Sequence, residues 1–261
     1  MIKTVRIMCF ACMGLTGCSS STITPASKTL PHSYNFCKME FVRLPGGTFS
    51  MGSDKSVFSR PVHLVTLDSF EIMATEVTNT QYELFQKRIR SPESQLDQGP
   101  VCGIKRKDVL RFIDWLSARD NFTYGLPTEA QWEYAARGGL ENMDFPWGND
   151  LNEKLAKFEG NSAVAVKSFP ANNFGLYDMC GNVAEMCWGY PFKYPDHPVR
   201  NPRGELALDN YASRGSGIGR PLSPWIWLPN IESDSEQQIP GLGFRLVRWK
   251  DNNSSKDQHP K

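Results

Sequence analysis

The chain has 261 residues, with 29 Lys+Arg against 28 Asp+Glu and a formal charge of +1. That balance offers no clustered cation excess for wrapping a polyanion, so no nucleic-acid partner is expected. At 40% hydrophobic and 22% charged residues the chain reads as globular, and its 21 Gly and 18 Pro exceed the ordinary share of about 12%, which disfavours a helical bundle; no run nears the ~18 apolar residues of a membrane span.

The first segment carries Lys3 and Arg6, then an apolar stretch from Ile7 to Leu15, then Leu15-Thr16-Gly17-Cys18. A basic start followed by a short apolar run is signal-peptide chemistry, and the Leu-x-Gly-Cys end resembles the bacterial lipobox. The expectation is a signal peptide over residues 1–17 and lipidation of Cys18. Ser19 after the lipidated Cys favours sorting to the outer membrane, with the anchor as the membrane contact. Residues 18–40 are read as the lipidated Cys and a flexible tether, 41–249 as one domain and 250–261 as a polar tail. Cys37, Cys102, Cys180 and Cys187 remain; in an oxidising compartment they could pair or stay as buried thiols, and sequence does not choose.

Within the domain, a Pro-Gly-Gly turn at residues 45–47 leads into a strand over Thr48–Ser53. Alternating apolar residues suggest a second strand over Val62–Phe70. Thr78 with Gln81 forms a capping box that opens a helix through Phe85. Val109, Phe112, Ile113 and Leu116 lie at helical spacing, which predicts an amphipathic helix over Lys107–Ala118. Thr128 with Gln131 is a second capping box, opening a helix through Arg137 that Gly138-Gly139 stops. Beyond Gly139 prolines punctuate short apolar runs and no helical period survives. Gly215-x-Gly217-x-Gly219 mimics a nucleotide loop, but Pro221 and Pro224 preclude the helix whose N-terminus would hold phosphate.

Six segments in order carry a family resemblance: Leu44-Pro-Gly-Gly-Thr-Phe-Ser-Met-Gly-Ser53, Thr75-Glu-Val-Thr-Asn-Thr-Gln-Tyr82, Gly125-Leu-Pro-Thr-Glu-Ala-Gln-Trp-Glu-Tyr-Ala-Ala-Arg-Gly-Gly139, Phe145-Pro-Trp-Gly148, Asn173-Phe-Gly-Leu-Tyr-Asp-Met-Cys-Gly-Asn-Val-Ala-Glu185 and Gly243-Phe-Arg-Leu-Val247. Together they resemble the formylglycine-generating-enzyme, or sulfatase-modifying-factor, domain family. The resemblance implies an α+β, C-type-lectin-like fold that is loop-rich, with few helices and short antiparallel strands.

The oxidases of that family hold copper with a pair of cysteines in the C-terminal part of the domain, because Cu(I) is soft and prefers thiolates. Here no Cys follows Cys187. No copper and no catalytic residue are therefore expected, and a binding scaffold is favoured over an extracytoplasmic oxidase or a structural subunit of an envelope or secretion machine.

The stretch Asp178 to Glu185 matches a family calcium loop, which implies ligands from the Asp178 and Glu185 side chains and the Gly181 and Val183 carbonyls. Hard oxygen donors of this kind suit one structural Ca²⁺. The family's other calcium loop is degraded, with Ala156-Lys157 bringing a cation where an oxygen belongs. The C-terminal divergent segment carries Arg214, Arg220, Trp225, Trp227, Asn230 and Glu232, residue types that anchor recognition surfaces. In diversity-generating retroelement proteins of this fold the equivalent segment is the displayed, variable face. The expectation is a face for a protein or glycan ligand.

Overall fold

The computed structural model describes residues 30–55, 57–87, 98–158, 160–189, 194–203, 210–219, 230–233 and 237–250, and at 58, 210 and 230–233 the backbone alone. The strands in chain order are β1 (His32–Tyr34), β2 (Glu40–Leu44), β3 (Gly47–Met51), β4 (His63–Leu67), β5 (Phe70–Met73), β6 (Thr123–Gly125), β7 (Ala184–Met186), β8 (Val199–Arg200), β9 (Asn210–Arg214), β10 (Asn230–Ser233), β11 (Leu242–Gly243) and β12 (Val247–Trp249). The helices are α1 (Asn79–Phe85), α2 (Arg106–Ser117) and α3 (Glu129–Arg137). The molecule is thus α+β and loop-rich, as the resemblance implied.

Local chemistry accounts for the helices. The Thr78 and Thr128 hydroxyls accept from the Gln81 and Gln131 backbone N–H groups, and each Gln side chain accepts from its Thr N–H, so two orphan donors are satisfied at each start. Helix α3 ends where Gly138 takes a left-handed conformation at φ 57°. Helix α2 buries Val109, Phe112, Ile113 and Leu116, the stripe that its spacing predicted.

Strand order is β1-β2-β5-β12-β6 in one sheet, β10-β9-β7-β11 in a second and β3-β4-β8 in a third. The pairs β7/β11 and β4/β8 are parallel, and all others are antiparallel. One apolar cluster joins Trp132, Phe49, Val65 and Ile72 under α3; the other gathers Phe41, Phe112, Phe244 and Leu246 under α1 and α2. Burying each such side chain stabilises the fold by about 1.5–3 kcal/mol relative to exposure.

Two expectations are corrected. The tether does not reach residue 40, because β1 pairs with β2 (Ser33 opposite Phe41) and the Cys37 and Met39 side chains are buried. Nor is Val62–Phe70 one strand: the Asp68 N–H donates to Asn201 Oδ1 instead of a ladder, and the chain passes from β4 in one sheet to β5 in another. Cys37, Cys102, Cys180 and Cys187 are all free thiols.

Candidate functional site

Every residue of α3 is buried, so its polar side chains must find partners inside the protein. Those partners come from β7 and β9, which lie side by side with Glu185 opposite Arg214. Two charge networks result.

The first centres on Arg214, which has no exposure to solvent. Its Nε donates to Glu129 Oε1 at 3.0 Å, Nη1 to Glu133 Oε2 at 3.1 Å and Nη2 to the Tyr194 hydroxyl at 2.6 Å. Glu133 Oε1 also accepts from Arg137 Nη2 at 2.7 Å and from the Gly52 N–H at 2.8 Å. Two guanidinium groups thus face two carboxylates. Burial outweighs the Arg214 charge at Glu129 and pushes its carboxyl above the usual range. Arg214 is therefore not part of a ligand-binding face: its charge and donors are spent inside the protein.

The second network lies around the Asp178–Glu185 loop. Asp178 and Asn182 sit at φ 56° and 57°, and Gly181 at φ 85°. A Cβ on Gly181 would lie 2.3 Å from the Lys157 carbonyl oxygen, so this turn requires glycine. Glu185, fully buried, holds Arg245 in a fork, with Nε at 2.6 Å and Nη2 at 2.7 Å, and accepts from Trp132 Nε1 at 2.8 Å. The Asp178 Oδ2 atom accepts from the Lys167 N–H at 2.9 Å.

Beside them is Glu76, fully buried, whose Oε1 accepts from Asn182 Nδ2 at 3.2 Å while its Oε2 has no hydrogen-bond partner. Burial first, then the Asp178 and Glu185 charges, drive the Glu76 carboxyl well above its ordinary value; burial also raises that of Asp178. Three carboxylates thus surround one guanidinium.

For a hard cation the donor types fit: two loop carboxyls, the carbonyls of Gly181 and Val183, and an orphaned oxygen on Glu76. Glu185 is nevertheless engaged by Arg245, and among the described residues no three His, Cys, Asp or Glu side chains are grouped to hold a metal.

The remaining expected site residues fall elsewhere. Asn230 and Glu232 lie on β10, paired through the backbone with Ser213 and Tyr211 of β9. Cys18, Arg220, Trp225 and Trp227 lie outside the described residues. The sequence reading did not single out Glu76, Glu129, Glu133, Arg137 and Arg245. A signal was present, since each charged residue stands inside one of the six matching segments, among residues that the fold buries.

With the fold and these networks in view, family comparison is decisive. A model described as the sulfatase-modifying factor enzyme 1-like domain matches residues 27–250. The chain belongs to this family. It is 32% identical over 182 residues to a protein named serine/threonine-protein kinase pkn1 from Chlamydia pneumoniae, a match over 59% of this chain and 28% of that protein. The chain therefore spans under a third of such relatives. It is 29% identical over 274 residues to the inactive C-alpha-formylglycine-generating enzyme 2 of Bos taurus, covering 80% of this chain and 88% of the relative. Among solved structures, PvdO from Pseudomonas aeruginosa superposes with a TM-score of 0.73 at 27% identity, covering 85% of this chain and 98% of PvdO.

Proposed function

We propose that this chain is a membrane-anchored lipoprotein whose domain binds a protein or glycan ligand and performs no cysteine oxidation. The observation that carries this reading is the lack of any Cys after Cys187, in the part of the domain where the family's oxidases keep their thiolate pair. The cysteines nearest that part make poor substitutes. Cys180 and Cys187 are buried, and burial pushes both thiols well above their ordinary range, away from the thiolate that Cu(I) prefers. The word inactive in the name of the cattle relative is consistent with this.

In this reading the ligand face starts beyond the buried Arg214 and comprises Arg220, Trp225, Trp227, Asn230 and Glu232, on and before β10. Diversification of that segment, as in retroelement variable proteins, would fit the same role. Anchoring rests on the Leu15-Thr16-Gly17-Cys18 motif and outer-membrane sorting on Ser19. One structural Ca²⁺ at Asp178, Gly181, Val183 and Glu185 would relieve the excess of carboxylate charge around Glu76.

The test is oxygen consumption by the full-length chain with Cu(I) and a cysteine peptide, together with ligand capture by Arg220→Ala and Trp225→Ala variants. No turnover and lost capture are expected. Turnover abolished by Cys187→Ser overturns the binding reading in favour of an oxidase. Palmitate labelling lost in Cys18→Ala tests the anchor.

A further inference from the structure

The four buried arginines of the described residues follow one pattern. Arg137 pairs with Glu133, Arg214 with Glu129 and Glu133, Arg245 with Glu185, and Arg248 with Glu71. Arg106 departs from it. This first residue of α2 is half-buried, and its Nε is shut off from solvent with no hydrogen-bond partner. No acidic side chain among the described residues pairs with it. What it meets instead is two rings: its guanidinium carbon lies 5.6 Å from the Trp188 ring centroid and 5.6 Å from that of Tyr211.

Helix formation does not explain the residue. A cation in the first turn faces the positive end of the helix dipole, and Lys105, the N-cap, makes no side-chain cap. Desolvation lowers the Arg106 pKa, so burial opposes its charge, and no carboxylate offsets this. The two rings come from residues whose backbones are held, Trp188 just past β7 and Tyr211 on β9. The Trp188 backbone N–H donates to the Pro127 carbonyl, and Tyr211 stands in β9 opposite Glu232 of β10. The result is a guanidinium set against two rings, with no hydrogen-bond partner for its Nε among the described residues.

We infer that Arg106, set against Trp188 and Tyr211, anchors a carboxylate group of a bound ligand. A planar carboxylate matches the Nη1–Nη2 edge of the guanidinium, the Nε being closed to solvent, through two parallel N–H···O bonds, and its single negative charge balances that of Arg106. A phosphate dianion would leave a second charge to neutralise, and Lys105 and Lys107, its sequence neighbours, have interactions of their own. This site does not depend on the reading of the β10 face as a display surface.

The experiment follows the Trp188 indole N–H of the full-length chain by ¹H–¹⁵N NMR, assigned with Trp188→Phe. Probes at matched ionic strength are N-acetylglycine, the uncharged N-acetylglycinamide and inorganic phosphate. A saturating shift with N-acetylglycine, none with the amide and a weaker response to phosphate are expected. Arg106→Gln should weaken the carboxylate response at least tenfold while its unfolding midpoint stays at or above that of the wild type. No saturating response, an equal response to the amide, tighter phosphate binding, or an unchanged response in Arg106→Gln overturns the proposal. A large fall in the Arg106→Gln midpoint with the response retained does the same, by showing that the ring contacts serve packing alone.

Discussion

The two buried networks that flank Trp132 are built from the same side-chain types but differ in balance. Around Arg214, two carboxylates meet two guanidiniums, both Glu133 oxygens have donors although Glu129 Oε2 has none, and the helix, β9 and the Gly52 turn are tied together. Around Glu76, three carboxyl groups share one guanidinium, and an oxygen is left without a donor. The first is matched in charge, two against two, and ties elements together. The second is unmatched, three against one, and burial with the neighbouring charges pushes its Glu76 carboxyl towards the protonated form. Breaking a buried pair by removing one partner is costly, whereas removing one surplus like charge is not, so loss of a guanidinium in the first network and loss of a carboxylate in the second should have opposite signs.

The largest effect is expected in the matched network. Arg214→Met strands Glu129 in the interior, leaves Glu133 to Arg137 and the Gly52 N–H, and should cost about 3–5 kcal/mol in denaturant unfolding. A loss below about 1 kcal/mol would mean that the network does not hold the domain together. In the unmatched network the loss of a carboxylate should be tolerated. Glu76→Gln is expected to match or exceed the wild-type midpoint in calcium-free buffer.

Calcium sharpens the contrast. If the Asp178–Glu185 loop takes a calcium ion, chelation should lower stability by about 2.7 kcal/mol from a starting level one hundredfold above the dissociation constant. Glu185→Ala should remove that response. A chelator-independent melting temperature in the full-length protein would remove calcium from the account.

A smaller effect concerns pH. The Glu129 carboxyl is raised in the folded state, so the folded protein keeps this proton longer than the unfolded chain. Its contribution to stability is fully present below the unfolded value and is lost as pH rises through the folded value. Glu129→Gln cannot titrate and should flatten this decline, by about 1.4 kcal/mol for every tenfold difference in proton affinity between the folded and unfolded carboxyl. Unfolding midpoints between pH 4 and 8 read the change, and parallel profiles for the two proteins would refute it. The smallest signal is chemical. Of the four cysteines in the described residues, the half-buried Cys102 should react first with iodoacetamide at pH 8, whereas Cys37, its thiol pushed up to about 12 by burial and Asp120, should react only on unfolding.

Much of the fold could be read from local patterns. The Thr78 and Thr128 boxes, the apolar stripe of α2 and the Gly138 stop are interactions within a few residues, and each helix lies within a residue of its expected bounds. The break at Asp68 was not legible, because the acceptor that ends β4 comes from Asn201, far along the chain. The same holds for the start of the domain, since the Ser-, Thr- and Pro-rich composition from Ser19 to about Tyr34 does not reveal that β1 has a partner. Among the site residues, the Asp178–Glu185 loop was found through its matching segment. Arg214 was misjudged, because a charged residue in a Gly-rich stretch gives no local sign that Glu129 and Glu133 await it.

The sequence alone determined the family, the three helices and the missing cysteine pair, because these depend on residue identity and on contacts of short range. Only the tertiary structure decided which charges are matched. Pairing Arg214 with α3, leaving a Glu76 oxygen bare and setting Arg106 against two rings all depend on where distant strands and helices meet, and electrostatic energy is set by those distances and by burial.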